Sequence, residues 1–167
     1  MANGIDAGER IESIVREVNQ KITQGMKARA YSASNELRNS SQKILRGQRS
    51  GREYIVPGTG RMTYYKRKKI AKITYKKYRA SAPGEPPAVR TGVFRASWQT
   101  KTESEQSGNG LTVKSMIESN VRTDNGKYLL GKILEEGTGR MAPRPYQEKI
   151  IQDALPRIKK IYKRQYT

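Results

Sequence analysis

The stretch that decides the fold runs from Gly8 to Gly47, GERIESIVREVNQKITQGMKARAYSASNELRNSSQKILRG. Its apolar and small residues fall at Ile11, Val15, Val18, Ile22, Met26, Ala30, Ala33, Leu37 and Ile44. Steps of three and four, with one of seven, predict a helix carrying a narrow stripe. At 1.5 Å per residue it is on the order of 55 Å long, more than one small domain covers, so part of it is expected to pack on a neighbouring subunit. Gly25 is a candidate bend, and Gly47 followed by Gly51 a candidate C-terminal stop.

Beyond this helix, assigned to residues 1–50, residues 52–90 change character. From Arg61 to Arg79 nine basic residues, Arg61, Lys66, Arg67, Lys68, Lys69, Lys72, Lys76, Lys77 and Arg79, alternate with Tyr64, Tyr65, Tyr75 and Tyr78 without one acid. Then comes Ala82-Pro83-Gly84-Glu85-Pro86-Pro87-Ala88, too rich in proline for a helix or a central strand. The expectation is a basic hairpin or arm followed by an extended loop. Residues 91–141 look like sheet: Phe94, Ala96 and Trp98 alternate with polar residues, and Leu111, Val113 and Ile117 share one parity. Ser107-Gly108-Asn109-Gly110 is the hairpin turn between these segments. Tyr128 to Leu134 fits a strand or a short helix. Tyr146, Ile150, Ile151, Ala154, Ile158 and Ile161 predict a closing helix over 144–162, with Pro145 in its first turn and Pro156 expected to kink or end it. The fold class is therefore α+β in a single domain: a long N-terminal helix, a small antiparallel sheet with an extended basic hairpin or arm, and a C-terminal helix.

Composition narrows the function. Lys and Arg number 34 against 15 Asp and Glu, a formal charge of +19, which calls for an acidic partner: nucleic acid, an anionic surface or an acidic protein. The chain has neither Cys nor His. That removes thiolate chemistry, the commonest metal ligands and the commonest general base, so no cofactor or metal is expected. No apolar run is long enough to span a bilayer, and residues 1–10 lack the apolar centre of a signal peptide.

The chemical motifs are weak. Gly126 to Lys132 spells the start of a phosphate-binding loop, but Ile133 stands where the mechanism needs a hydroxyl, so its glycines are expected to be turn residues flanking a strand. Glu135 and Glu136, if they lie on a strand, point to opposite faces and do not share a substrate. Gly58-Thr59-Gly60-Arg61-Met62 recurs as Gly137-Thr138-Gly139-Arg140-Met141, two turns of similar chemistry rather than a repeat.

The run Leu134-Glu135-Glu136-Gly137-Thr138-Gly139-Arg140-Met141-Ala142-Pro143-Arg144-Pro145-Tyr146 resembles the signature of the head-tail joining or minor tail component family of long-tailed bacteriophages. Ala82 to Pro87 followed by Arg90-Thr91-Gly92-Val93-Phe94-Arg95-Ala96-Ser97 resembles the same family's proline-rich loop and strand start. The resemblance spans roughly residues 82 to 158 and departs from the family at 52–80. It implies a non-enzymatic virion protein, assembled in the host cytoplasm, that forms a homo-oligomeric ring in the neck, between the portal, adaptor or stopper and the tail tube, with genomic DNA passing through it and no membrane contact. Six copies match a tail tube, twelve a portal-side adaptor. Closed rings need two complementary patches. The loop Glu136, Gly137, Thr138, Gly139, Arg140, Arg144, Pro145 and Tyr146 is one candidate, Gly137 and Gly139 supplying positive φ and the prolines stiffness. The basic arm is the other. A lumen lined with the charge of all copies would hold DNA phosphates tightly, so most of it is expected to face acidic neighbouring proteins or the outer surface. The rivals are an architectural DNA-binding protein using the arm and a carboxylate hydrolase.

Overall fold

A computed structural model of the protein describes residues 7–65, 70–107 and 110–164. Helix α1, Ala7–Arg46, is continuous, about 60 Å long, and runs through Gly25 without ending there. Its two halves differ. Every residue from Gly8 to Ile22 is exposed. From Ala30 onward the buried face is built of small side chains, Ala30, Ala33, Ser34, Ser40 and Ser41, and closes on Leu45. Ser34 and Ser41 donate to the carbonyls of Tyr31 and Arg38, 2.8 Å each, so these hydroxyls are buried at no cost in lost hydrogen bonds.

The chain continues as β1 (Glu53–Ile55), β2 (Arg61–Tyr65), β3 (Ile70–Thr74), β4 (Lys77–Arg79), α2 (Val93–Ala96), β5 (Gln99–Ser107), β6 (Gly110–Glu118), α3 (Leu130–Glu136) and α4 (Gln147–Lys163). The strands form three antiparallel pairs, β1 with β4, β2 with β3 and β5 with β6. This is the α+β arrangement the sequence predicts, with a long first helix, small antiparallel sheets and a closing helix. The β5–β6 pairing runs from Gln99↔Glu118 to Ser107↔Gly110; the turn residues 108 and 109 lie outside the described residues. Along β6, Leu111, Val113, Ser115 and Ile117 are half-buried while Thr112, Lys114 and Met116 are exposed, the period of two expected of a one-sided strand.

The C-terminal half of α1 packs against α4, both strands of the β5–β6 hairpin and α2. Leu45, Trp98, Tyr146 and Ile150 form the buried centre, with Leu37, Ile44, Phe94, Ile117 and Leu134 packed around it. Phe94, Trp98 and Tyr146 meet edge to face at centroid distances of 5.6, 5.7 and 6.0 Å, an arrangement that favours all three rings.

Four local expectations change. Phe94 and Ala96 are not in a strand: residues 93–96 form a helical turn, and the strand starts at Gln99. Phe94 and Trp98 still meet, because a spacing of four shares a face in a helix as well as in a strand. The segment left open between strand and helix is helical from Leu130 to Glu136, so Glu135 and Glu136 do not oppose each other across a strand. Pro145 sits outside α4, which begins after Tyr146. Its start is fixed by Glu135, whose Oε2 accepts the Tyr146 and Gln147 N–H groups at 3.0 and 3.3 Å, a carboxylate placed at the positive end of the helix. Finally, α4 continues through Pro156 to Lys163. Pro156 and Gln152 are both exposed, so the Gln152 carbonyl that loses its N–H partner meets water.

A polar cluster fastens α1 to α4. Asp153 accepts from Ser40 and Arg157 at 2.8 Å each and pairs with Lys43, while Arg157 also reaches Glu36 at 2.6 Å. The hydrogen bonds from Lys43, Arg157 and Ser40 hold the Asp153 carboxyl well below the usual carboxylate range. A depressed folded-state value contributes stability that is present above about pH 4 and fades as pH falls through the folded-state range. The urea midpoint is therefore expected to fall steadily below pH 4. In Asp153→Asn that acid slope should be shallower, and an unchanged slope would show that the cluster is uncoupled from folding.

Candidate functional site

Two surfaces hold the predicted site residues. The first is the basic arm. Residues 53–65 and 70–79 pair as a double hairpin: β1 and β4 make its base, with Tyr54 stacked on Tyr78 at 5.8 Å, and β2 and β3 continue it. Gly51 N–H donates to the Ala80 carbonyl at 2.9 Å and Ala80 N–H to the Arg52 carbonyl at 2.8 Å, which closes the base. A Cβ on Gly51 would lie 2.6 Å from the Ala80 oxygen, so the two backbones approach this closely only with glycine.

The register sorts the arm into two unlike faces. Met62 opposes Ile73 and Tyr64 opposes Ala71, so with Tyr75 they share one face; Arg61, Thr63, Tyr65, Lys72 and Thr74 share the other. Met62, Tyr64, Ile73 and Tyr75 are all exposed. Among the remaining cations, Lys77 pairs with Glu53 at 2.8 Å, and Arg79 stands opposite Glu53 in the pairing. Lys76 gives its backbone N–H to the Thr59 hydroxyl at 3.1 Å. Lys66, Arg67, Lys68 and Lys69 lie outside the described residues.

The second surface is the junction of two loops that the sequence keeps more than fifty residues apart. Gly84 N–H donates to the Pro143 carbonyl at 3.2 Å, Lys149 Nζ donates to the Gly84 carbonyl at 3.0 Å, and the Arg144 guanidinium donates to the Ser81 carbonyl and hydroxyl. The proline-rich loop is held at its other end by Glu85, whose carboxylate accepts from Ser50 N–H, Ser50 Oγ and Ala82 N–H at 3.1, 2.7 and 2.8 Å. These hydrogen bonds, that from the Ser50 hydroxyl foremost, hold its carboxyl at about 2. Arg49 adds a clamp by donating to the Ile44 carbonyl at the end of α1 and to the Pro87 carbonyl, at 2.9 and 3.0 Å from one nitrogen. The α1 terminus is thus capped by an arginine. Gly47, the predicted stop, is not in the left-handed region.

Within the C-terminal loop the predicted contact residues divide. Glu136, Thr138, Gly139 and Arg140 are exposed. Tyr146 is 1% exposed: its ring lies in the aromatic core, its hydroxyl donates to the Gly131 carbonyl at 3.2 Å, and burial pushes the phenol up to about 12. Arg144 and Pro145 are half-buried. Gly137 has φ 77°, whereas Gly139 does not have positive φ. The echoed segment behaves the same way: Gly58 has φ 72° and Gly60 does not. The threonines act differently: the Thr138 hydroxyl accepts the Met141 N–H inside its own turn, whereas the Thr59 hydroxyl accepts the Lys76 N–H from across the hairpin, 3.1 Å each. The two segments share a first glycine at positive φ, but only the second is closed by reciprocal backbone bonds, between Thr138 and Met141.

Other motifs acquire local structural roles. Gly126 turns a loop closed by Thr123 and Tyr128, while Gly131 lies inside α3 against the Tyr146 hydroxyl, so the loop-like spelling from 126 to 132 spans a turn and a helix start. Gly92, at φ 86°, starts α2, and the Ser97 hydroxyl donates to the Phe94 carbonyl at 2.9 Å and meets Ser119 at 2.6 Å. Among the described residues no group of three or more acidic side chains is placed to hold a metal ion, and no helix is long and apolar enough to cross a membrane. The carboxyls of Glu17, Glu53, Glu85, Glu103 and Asp153 are all shifted downward, opposite to the shift that prepares a general acid. Sequence reasoning missed Glu85 and Arg49, and the part Glu135 plays at the start of α4; each acts on a backbone segment outside its own. Comparison with protein-family models, curated proteins and solved structures finds no match to this chain.

Proposed function

We propose that this chain is a structural subunit of a tailed-bacteriophage neck, repeated around a ring that joins the DNA-filled head to the tail tube and performs no chemistry. The observation that carries the proposal is the division of the molecule into a small core and two long projections, the N-terminal half of α1 and the double hairpin. Both present large apolar side chains to solvent. Contiguous exposed apolar surface of this kind marks contact with other proteins. The two loops that carry the phage resemblance are bound to each other, which gives a stiff, preordered edge suited to a repeated contact.

The arm also bears on the rival. The face of Met62 and Ile73 also carries the exposed rings of Tyr64 and Tyr75, on which bases can stack, but its two aliphatic side chains give a duplex neither charge nor a ring. An acidic neighbouring protein with an apolar groove fits both faces better than a phosphate backbone does. In this proposal the partners are further copies of the chain, the neck proteins above and below, and the passing genome. Its place is the virion, after assembly in the host cytoplasm. Electron microscopy of particles produced without this gene tests it: filled heads lying apart from tails, or tails with unfinished upper ends, are expected. Normal infectious particles would reject the neck role and put DNA binding by the arm first.

A further inference from the structure

Helix α1 carries Ile11, Val15, Val18 and Ile22 along its free half, joined by Ile14, and these five are between 41% and 63% exposed. Helix α4 uses Ile150 and Ala154 for the core and turns a second apolar row outward. That row is Ile151, Leu155, Ile158 and Tyr162, of which Ile151, Leu155 and Tyr162 are exposed and Ile158 half-buried. The two rows have the same spacing, four, three and four residues, and so the same length of about 16 Å. Alternating steps of three and four are the seam of a helix pair.

We propose that the free half of α1 docks antiparallel on the outer row of α4 of a second copy of this chain. The occupant is another copy because α1 is a single continuous helix from Ala7 to Arg46, and its own C-terminal half already packs against its own α4. An unbroken helix cannot fold back onto the same helix. The orientation follows from the side chains flanking each row. Antiparallel seating puts Ile11 against Tyr162, Val15 against Ile158, Val18 against Leu155 and Ile22 against Ile151. On one flank Glu12 then meets Lys159 and Asn19 meets Gln152; on the other Ile14 meets the half-buried Ile161. It also brings the acidic first turn of α1, with Glu9, beside the basic last turn of α4, with Lys160 and Lys163, and opposes the two helix dipoles. Parallel seating would place Glu9 and Glu12 beside Glu148 and lose these matches. Because the two surfaces differ, the contact is heterologous, and repetition closes a ring when the rotation between copies allows it. The inference deepens the ring proposal by naming one of its contacts.

The chain has no cysteine, so introduced pairs report contacts without background. Ile11→Cys is mixed with Tyr162→Cys, and separately Ile11→Cys with Ile151→Cys, using the purified full chain under mild oxidation, followed by non-reducing gels. A disulfide-linked dimer is expected from the first mixture, absent from either variant alone and from the second mixture. Linkage in the second mixture, linkage of Ile11→Cys with itself, or no linkage in any mixture would overturn the proposal. All three positions are surface sites, and circular dichroism confirms that the variants fold. As an independent check, Lys159→Glu should lower the weight-average mass in sedimentation, and adding Glu12→Lys should restore it; a lowered mass without restoration would overturn the pairing. Failure here with separated heads and tails in the deletion would leave a neck ring closed through another surface. Linkage with normal virions would support this contact while removing the neck.

Discussion

Replacing Tyr146 by alanine is expected to destabilise the domain by about 3–5 kcal/mol, the usual cost of removing a large buried aromatic side chain. Few large side chains share the load: Leu45, Trp98 and Ile150 are the other buried members of its cluster, and both Phe94 and Trp98 lose an edge-to-face neighbour. A melting temperature lower by about 6–20 °C follows for a chain of this size. Tyr146→Phe, which gives up only the hydroxyl bond to Gly131, should cost about 1 kcal/mol. Thermal unfolding followed by circular dichroism measures both. If Tyr146 served a neighbouring subunit instead of the core, the isolated alanine variant would melt like the parent chain.

The second large effect is expected at Gly137. Its φ of 77° and ψ of −171° lie in a region that side chains other than glycine essentially do not adopt. A Cβ there would come within 2.7 Å of the Met141 carbonyl oxygen and 2.8 Å of the Pro143 nitrogen, both backbone atoms that cannot swing aside. Backbone strain of order 1–3 kcal/mol and the clash act together, so Gly137→Ala should cost about 3 kcal/mol or more. Gly139→Ala, two residues on, meets nothing within 4 Å and should change stability by no more than about 0.5 kcal/mol. Paired urea denaturation curves decide. Equal losses at the two glycines would mean that the turn tolerates rearrangement and that Gly137 is not its fixed point.

Much of the architecture was legible in the sequence because it rests on periodicity. The three-and-four spacing from Ile11 to Ile44 specified α1, and the spacing of Ile150, Ala154 and Ile158 specified α4. What spacing could not show is where burial stops: Val15 and Leu37 follow the same pattern, yet one is exposed and the other packs on the core. Phe94 and Trp98 fit both periods, so the choice between strand and helical turn fell to Thr91, Gly92 and Ser97, whose hydroxyls and left-handed glycine act over only a few residues. The C-terminal loop was found by its glycines and prolines, but which of its residues face outward depends on contacts with α3 and with the proline-rich loop. Glu135 reaches across eleven residues to start α4, and Arg144 across more than sixty to Ser81. Such pairings leave no mark in local spacing.

The closed base of the double hairpin has a consequence for how such a chain can change over generations. Because residues 51 and 80 are hydrogen-bonded neighbours, everything between them leaves and re-enters the domain at one point. Lengthening, shortening or recharging that segment alters the reach and chemistry of the projection while Leu45, Trp98, Tyr146 and Ile150 keep their places. The joint is placed as a socket would be: a change in the projection beyond it leaves the core's own packing contacts untouched.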